Sequence, residues 1–213
     1  MPHVELHFPF TGRTLTTDHG YGLYGAISRI IPEVHSADWL TIATMKGAAV
    51  GDGSLQLDGA STLKIRLPQD RVTVLLKLAG KRLDIDGHTI RLGAPQIHLL
   101  KPSSVLYARI VTIKGYTEPG PFLDAVRRKM QGLNVVGQPV VGPRRVVRID
   151  NQTIVGFAVA ISELNDEGSI LLQERGIGGR RHMGCGVFFP VAIDRVIGEP
   201  PRRMQRAAVE RQG

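Results

Sequence analysis

The chain has 213 residues, a formal net charge of +8, 42% hydrophobic and 22% charged residues, and one cysteine, Cys185. These values are typical of one sizeable soluble domain or two small ones, and since no apolar run approaches the length of a bilayer span, a membrane protein is not expected. A single cysteine excludes an internal disulfide and a cysteine-based metal cluster. The first residues lack the basic and apolar regions of a secretion signal, so we expect a cytoplasmic protein.

The positive charge is concentrated in the second half of the chain. Residues 1–100 contain 10 Lys and Arg against 9 Asp and Glu, whereas residues 101–213 contain 17 against 10. A basic half-chain favours binding to nucleic acid, because cations that neutralise phosphates release counterions. Aromatic residues make up only 5% of the chain, so base stacking is not expected to be the main mode of binding.

Hydrophobic periodicity predicts the elements of the first half. In chain order these are a strand at 3–10, a helix capped by Asp18 and ended by Pro32, a hairpin at 53–68 with its turn after Asp58, a short helix at 70–80 capped by Asp70, and a hairpin at 83–92 with its turn at Asp86.

The second half repeats this order. The predicted elements are a strand at 105–113, a helix through 122–133, a strand pair at 146–149 and 154–161, a helix at 164–175 and a strand at 187–191. The pattern predicts an α+β fold of two tandem ferredoxin-like (βαββαβ) units, in which helices cover one face of an antiparallel sheet. We expect the units at 1–98 and 103–193, followed by a basic tail at 194–213.

A glycine-rich stretch at 176–186 connects the last predicted helix to the last predicted strand. It holds five glycines and three basic-type side chains, and it has no acidic residue. Glycines of this kind can simply make a tight connection. Alternatively, they leave backbone N–H groups accessible beside Arg180 and Arg181, which is the chemistry of a phosphate site.

The spacing of this stretch is distinctive. It reads Gly-hydrophobic-Gly at 176–178, five residues, and Gly-hydrophobic-Gly at 184–186. In this position the motif resembles the C-terminal signature of the CRISPR repeat-processing endoribonucleases of the RAMP superfamily, and most of all their Myxococcus-type branch. Residues 18–35 and 107–115 also resemble that family, and the similarity covers the chain except for the tail.

The resemblance implies an enzyme that binds CRISPR repeat RNA, expected to form a hairpin, and cuts it once without a metal or other cofactor. It also implies a 2′,3′-cyclic phosphate product. Other CRISPR-associated subunits of an interference complex are further candidate partners. The alternative is a non-catalytic RAMP subunit that binds guide RNA and never cuts. A nucleotide-binding P-loop is disfavoured, because the Lys-Ser/Thr ending is missing.

Two histidines compete for the role of general acid or base. In the family this histidine lies in the first helix or in the loop after it, which places His35 first and His19, at the helix start, second. Tyr24 is the third candidate catalytic residue, as a proton donor or a group that orients the 2′-hydroxyl. Histidine suits proton transfer because its ordinary pKa is about 6.5.

The residues expected to bind RNA lie in the glycine-rich stretch and on basic segments of the second half. His182 is also a further candidate for proton transfer. An A-form stem is recognised by its backbone and shape, which several spread arginines can contact. The predicted RNA-binding set is Gly176, Gly178, Gly179, Arg180, Arg181, His182, Gly184, Gly186, Arg127, Arg128, Arg144 and Arg145.

Overall fold

A computed structural model describes residues 1–35, 37–58, 61–150 and 152–192, so the predicted tail at 194–213 lies outside the described residues. The helices are α1 (Gly20–Ile30), α2 (Val72–Leu76), α3 (Pro119–Gly132) and α4 (Asp166–Arg175). The strands are β1 (His3–Thr11), β2 (Thr14–Thr16), β3 (Thr41–Ile42), β4 (Gly47–Ala49), β5 (Ser54–Leu57), β6 (Thr62–Pro68), β7 (Arg82–Ile85), β8 (His88–Leu92), β9 (Gln96–Leu99), β10 (Leu106–Val111), β11 (Gln138–Ile149), β12 (Gln152–Ser162) and β13 (Phe189–Pro190). Among the described helices, none has the length and apolar content to cross a membrane.

The first half is built around β1. Strand β6 pairs with one side of β1, while β9 and then β8 pair with the other side, and all of these pairs are antiparallel. Leu6 and Phe8 of β1 are fully buried and share a core with Leu23 and Ile27 of α1. The alternation of β1 therefore positions α1, because its apolar face requires a cover.

The second half is one antiparallel sheet in the order β11-β12-β10-β13. Helix α3 packs against this sheet through Phe122, whose ring centroid lies 4.8 Å from that of Phe157 on β12. Both halves thus mix helices with antiparallel sheet, which confirms the predicted α+β class.

The predicted hairpin at 53–68 is wrong, although both of its strands exist. Strand β5 pairs with β2 and β4 in a small separate sheet, whereas β6 lies between β1 and β3. In β6, Leu63 and Ile65 pair with Phe8 and Leu6 of β1 and are fully buried. A period-2 pattern indicates a strand but does not specify its partner.

Both predicted aspartate caps are also wrong. The N-cap position of α1 is His19, and the Asp18 carboxylate instead accepts the backbone N–H of Arg148 at 3.1 Å. Asp70 lies inside a 3-10 turn at Gln69–Arg71 and pairs with the Arg71 guanidinium. In contrast, the β7–β8 hairpin is confirmed, and its turn residues Asp86 and Gly87 both have positive φ, as a type I′ turn requires.

Arg66 of β6 joins the two halves. It is 2% exposed, and its guanidinium donates to the Glu5 carboxylate at 2.6 Å and to the carbonyls of Gln173 and Phe188 at 3.1 and 2.6 Å. Burial raises the pKa of Glu5, but the charges of Arg66 and Lys64 and a hydrogen bond with His7 outweigh it and hold that pKa below its ordinary value. This buried ion pair therefore fixes the second half against β1 and β6.

We expect Arg66→Ala to lower the free energy of unfolding by about 3–5 kcal/mol, because it leaves the Glu5 charge and two carbonyls buried without their partner. Arg71→Ala removes an exposed ion pair and is the matched control, with an expected loss below about 1 kcal/mol. Urea unfolding at pH 7 measures both. The depressed pKa of Glu5 means that its stabilisation is present at this pH and is lost only as the pH falls through the folded pKa. Equal losses in the two variants would mean that the buried contacts of Arg66 do not fix the second half against β1 and β6.

Candidate active site

The glycine-rich stretch, residues 176–186, is called here the glycine loop. Most of its backbone N–H groups are already used inside the protein: those of Gly179 and Gly186 donate to Thr112 and Ile110 of the second half, at 3.1 and 2.7 Å. The N–H groups of Gly176 and Gly184 donate to Leu172 and Arg181. These four glycines therefore do not offer the free amides that were expected for a phosphate cradle, which is a correction to the sequence interpretation.

Four of the five glycines, Gly176, Gly178, Gly184 and Gly186, are instead required for close packing, whereas a Cβ on Gly179 would meet open space. A Cβ on Gly186 would collide with the carbonyl of Ile177, and one on Gly178 would collide with the carbonyl of Thr112. Both residues also have positive φ. The amides of the hydrogen-bonded glycines are therefore not available to an anion, which leaves the side chains of the glycine loop and its remaining N–H groups.

The glycine loop docks onto the first half at α1 and at the segment after β3. A Cβ on Gly20, the first residue of α1, would overlap the carbonyl of Met183, and one on Gly184 would overlap the side chain of Thr44. Arg181 braces this contact, because its guanidinium donates to the carbonyls of Asp38 and Glu174 at 2.5 and 3.4 Å. Burial lowers the pKa of Arg181 below its ordinary value, and this arginine connects the halves.

Docking brings three rings together. The Tyr24 ring, on α1 and 6% exposed, lies 4.3 Å from the ring centroid of His182 and 6.0 Å from that of His35. His35 follows a 3-10 turn at Pro32–Val34 and is exposed. The structure thus brings together His35, Tyr24 and His182, which come from three separate segments of the chain.

His182 is half-buried and surrounded by positive groups. Burial lowers its pKa below the ordinary value, and the charges of Arg181, Arg180 and His35 lower it further. At neutral pH this imidazole is therefore mostly in its neutral form.

His19 is not one of these three rings and is 1% exposed. Its Nε2 accepts the backbone N–H of Met45 at 2.9 Å, so its Nδ1 carries the proton and donates to the carbonyl of Thr16 at 2.8 Å. Burial lowers its pKa below the ordinary value. Both ring nitrogens are occupied, which favours a structural role that ties α1 to the segment after β3.

A basic pocket of about 960 Å³ lies between the glycine loop, α3 and the end of β10. Its cationic lining residues are Lys114, Arg128, Lys129, Arg175, Arg180 and Arg181, and none of its described lining residues is acidic. Arg180 has a left-handed backbone (φ 62°), and within the described part of the chain its guanidinium has no hydrogen-bond partner. Arg128 donates to the Tyr116 hydroxyl at 3.0 Å. The pocket can hold a phosphate backbone.

The remaining predicted arginines lie outside this pocket. Arg127 is exposed and pairs with Asp124, one helical turn away on α3, at 3.3 Å. Arg144 and Arg145 are exposed on β11. Sequence reasoning missed Lys114 and Arg175, which border the pocket because β10 and α4 end beside each other. Their only signal was a position directly at the end of a predicted strand or helix.

Comparison with known proteins identifies the family and the fold. A model of the Cas6 family, described as "Cas6 Crispr", matches residues 4–192. The chain belongs to the Cas6 family. The CRISPR-associated endonuclease Cas6 of Myxococcus xanthus (strain DK1622) is 40% identical over 190 residues, which cover 89% of this chain and 82% of that protein.

Solved structures share the fold of this Cas6 chain at low sequence identity. A Cas6-related protein from Pyrococcus furiosus superposes with a TM-score of 0.64 at 14% identity, covering 90% of this chain and 99% of the other. Thermus thermophilus Cse3, bound to an RNA representing a pre-cleavage complex, gives a TM-score of 0.53 at 9% identity and covers 90% and 100%. These similarities concern the fold alone.

We expect Gly20→Ala to destabilise this Cas6 protein by about 1–3 kcal/mol, because the added methyl group overlaps the Met183 carbonyl and pushes the glycine loop away from α1. Gly25→Ala is the matched control: it lies in the same helix, α1, and its Cβ would meet only the Arg29 guanidinium, in ordinary van der Waals contact at 3.7 Å, so it should be neutral or slightly stabilising. Chemical unfolding compares the two. Equal stability of both variants would mean that the loop can shift without cost.

Proposed function

We propose that this protein is a metal-independent endoribonuclease that cuts precursor CRISPR RNA within the repeat and so produces guide RNAs. The observation that carries the proposal is the contact of His35 and His182 with Tyr24 beside a pocket with six cationic side chains. The name of the Myxococcus relative, an endonuclease, and the RNA bound to the Thermus Cse3 structure support it.

The reaction needs two proton transfers and a grip on the phosphate. The 2′-oxygen attacks the adjacent phosphorus as a base removes its proton, and the bond to the 5′-oxygen breaks as an acid protonates that oxygen. The product is a 2′,3′-cyclic phosphate. These two proton transfers are assigned to side chains, one acting as base and one as acid.

His35 is the proposed acid or base, because it is exposed beside Tyr24. Tyr24, which contacts both imidazoles, is proposed to position them. His19 is left out of the chemistry, since Met45 and Thr16 occupy both of its nitrogens.

RNA binding is assigned to the basic pocket, chiefly to Arg180, Lys129 and Arg128. The loop glycines and Arg181 are proposed to act indirectly, by holding the loop in place. We also propose contacts between exposed arginines outside the pocket and a part of the repeat hairpin farther from the cut. These arginines are Arg127, Arg144 and Arg145.

The proposed architecture is two tandem ferredoxin-like units, at 1–98 and 103–193. The sheet orders β3-β6-β1-β9 and β11-β12-β10-β13 support it, because each is the same arrangement of the second, third, first and fourth strands around two helices. In this description β7 and β8 are an added hairpin, and β2, β4 and β5 are an insertion.

The alternative function, a RAMP subunit that binds guide RNA without cutting, makes a different prediction for His35. We expect His35→Ala to lower the single-turnover rate of repeat cleavage in EDTA by at least about 10²-fold, with RNA affinity unchanged, since it removes a proton-transfer group. His88→Ala is the control, because His88 lies on β8, outside the proposed site, and is hydrogen-bonded to the Thr14 hydroxyl. Intact RNA after incubation with the wild-type protein, despite tight binding, would favour the scaffold.

We expect Arg180→Ala to weaken repeat binding and to reduce the slope of log affinity against log salt by about one, the value for one lost phosphate contact. Arg91→Ala, an exposed arginine on β8, should leave the slope unchanged. Binding titrations over a range of salt concentrations test this. A parallel shift of the Arg180→Ala line without a change of slope would argue against phosphate contact.

A further inference from the structure

His182 and His35 both contact the ring of Tyr24. The two imidazoles lie 4.3 and 6.0 Å from the same Tyr24 ring, so their centroids are separated by at most the sum of these distances. Cleavage by 2′-hydroxyl attack needs one group that accepts a proton and one that donates a proton, on opposite sides of the phosphorus. One histidine cannot occupy both positions in a single step.

We propose that His182 is the general base of the cleavage reaction and that His35 is the general acid. This proposal rests on the proposed function. The neutral imidazole of His182 takes the proton of the 2′-hydroxyl while the 2′-oxygen bonds to phosphorus. The bond from phosphorus to the 5′-oxygen breaks, and protonated His35 gives its proton to that oxygen. Each histidine thus ends in the opposite protonation state.

The surroundings of His182 fit the base. Arg180 and Arg181 flank it on the glycine loop, Tyr24 covers its ring from α1, and His35 approaches from the segment after α1. On that segment the Asp38 carboxylate acts on Arg181, and the Glu33 carboxylate pairs with Lys77 at 3.0 Å. Burial and these positive neighbours lower the pKa of His182, so the ring is neutral before the reaction, as a base must be.

The backbone turn that carries His182 is also suited to a catalytic role. The N–H groups of Met183 and Cys185 both donate to the Arg180 carbonyl, at 2.9 and 3.2 Å, so the turn that carries His182 is closed by its own hydrogen bonds. A rigid turn holds the imidazole in one place, and a well-placed base gains more from its position than a mobile one.

The pH dependence of single-turnover cleavage in EDTA separates a base from a residue that only positions Tyr24. We expect His182→Ala and His182→Phe to lose at least about 10²-fold in rate, because neither variant can accept a proton, although Phe keeps a ring against Tyr24. In the wild type the rate should fall as the pH drops through the pKa of His182, below about 6.5. This acidic limb should be absent from both variants, with RNA affinity retained.

The two roles are distinguished by a repeat RNA in which sulfur replaces the 5′-bridging oxygen at the cut. A thiolate leaves without protonation, so this RNA should restore cleavage by His35→Ala and should not restore it in His182→Ala. Near-normal activity of His182→Phe, or rescue of His182→Ala by sulfur, would overturn the assignment. In each of these outcomes the wild-type protein cleaves the RNA. If the proposed function itself were wrong, the wild-type protein would leave both the normal and the sulfur-substituted RNA intact.

Discussion

Arg66 holds both ends of the glycine loop. Its guanidinium donates to the carbonyl of Gln173, three residues before the loop, and to that of Phe188, two residues after it, while Glu5 balances its charge. Because these bonds are buried, the two ends cannot separate without exposing an ion pair and two carbonyls to a medium that does not solvate them. The position of the glycine loop relative to the first half is therefore set at β6, and not by the contacts among Tyr24, His35 and His182.

A second contact sets the orientation of the loop. The absence of a side chain at Gly20 lets the Met183 carbonyl approach the first turn of α1. Tyr24 follows one turn later on α1, and His182 directly precedes Met183, so the same approach fixes the 4.3 Å distance between their rings. Substitutions at Gly20 and at Arg66 should consequently affect the same geometry, although the two residues belong to different elements.

Local patterns in the sequence predicted most elements of this fold, and long-range contacts explain what they missed. The alternation in β1 and the turn residues at Asp86 and Gly87 act over a few residues and were sufficient. The pairing of β6 depends on its packing against β1, which lies about 60 residues earlier in the chain. The surroundings of His19 are of the same kind, since its Nε2 accepts the N–H of Met45, 26 residues away. The glycine loop was recognised by its spacing, but the use of its amides could not be read from it.

The loop couples RNA binding to the proposed chemistry through neighbouring side chains. Arg180 lines the basic pocket, whereas His182, two residues on, packs against Tyr24. Since the backbone between them is closed by hydrogen bonds to the Arg180 carbonyl, the distance from pocket to rings is fixed before RNA arrives. A phosphate held by Arg180 is then placed relative to the imidazoles without a further ordering cost, which is how a preorganised site turns binding into rate. Occupied amides, which at first sight weaken the case for an anion site, are what make the loop rigid enough for this role.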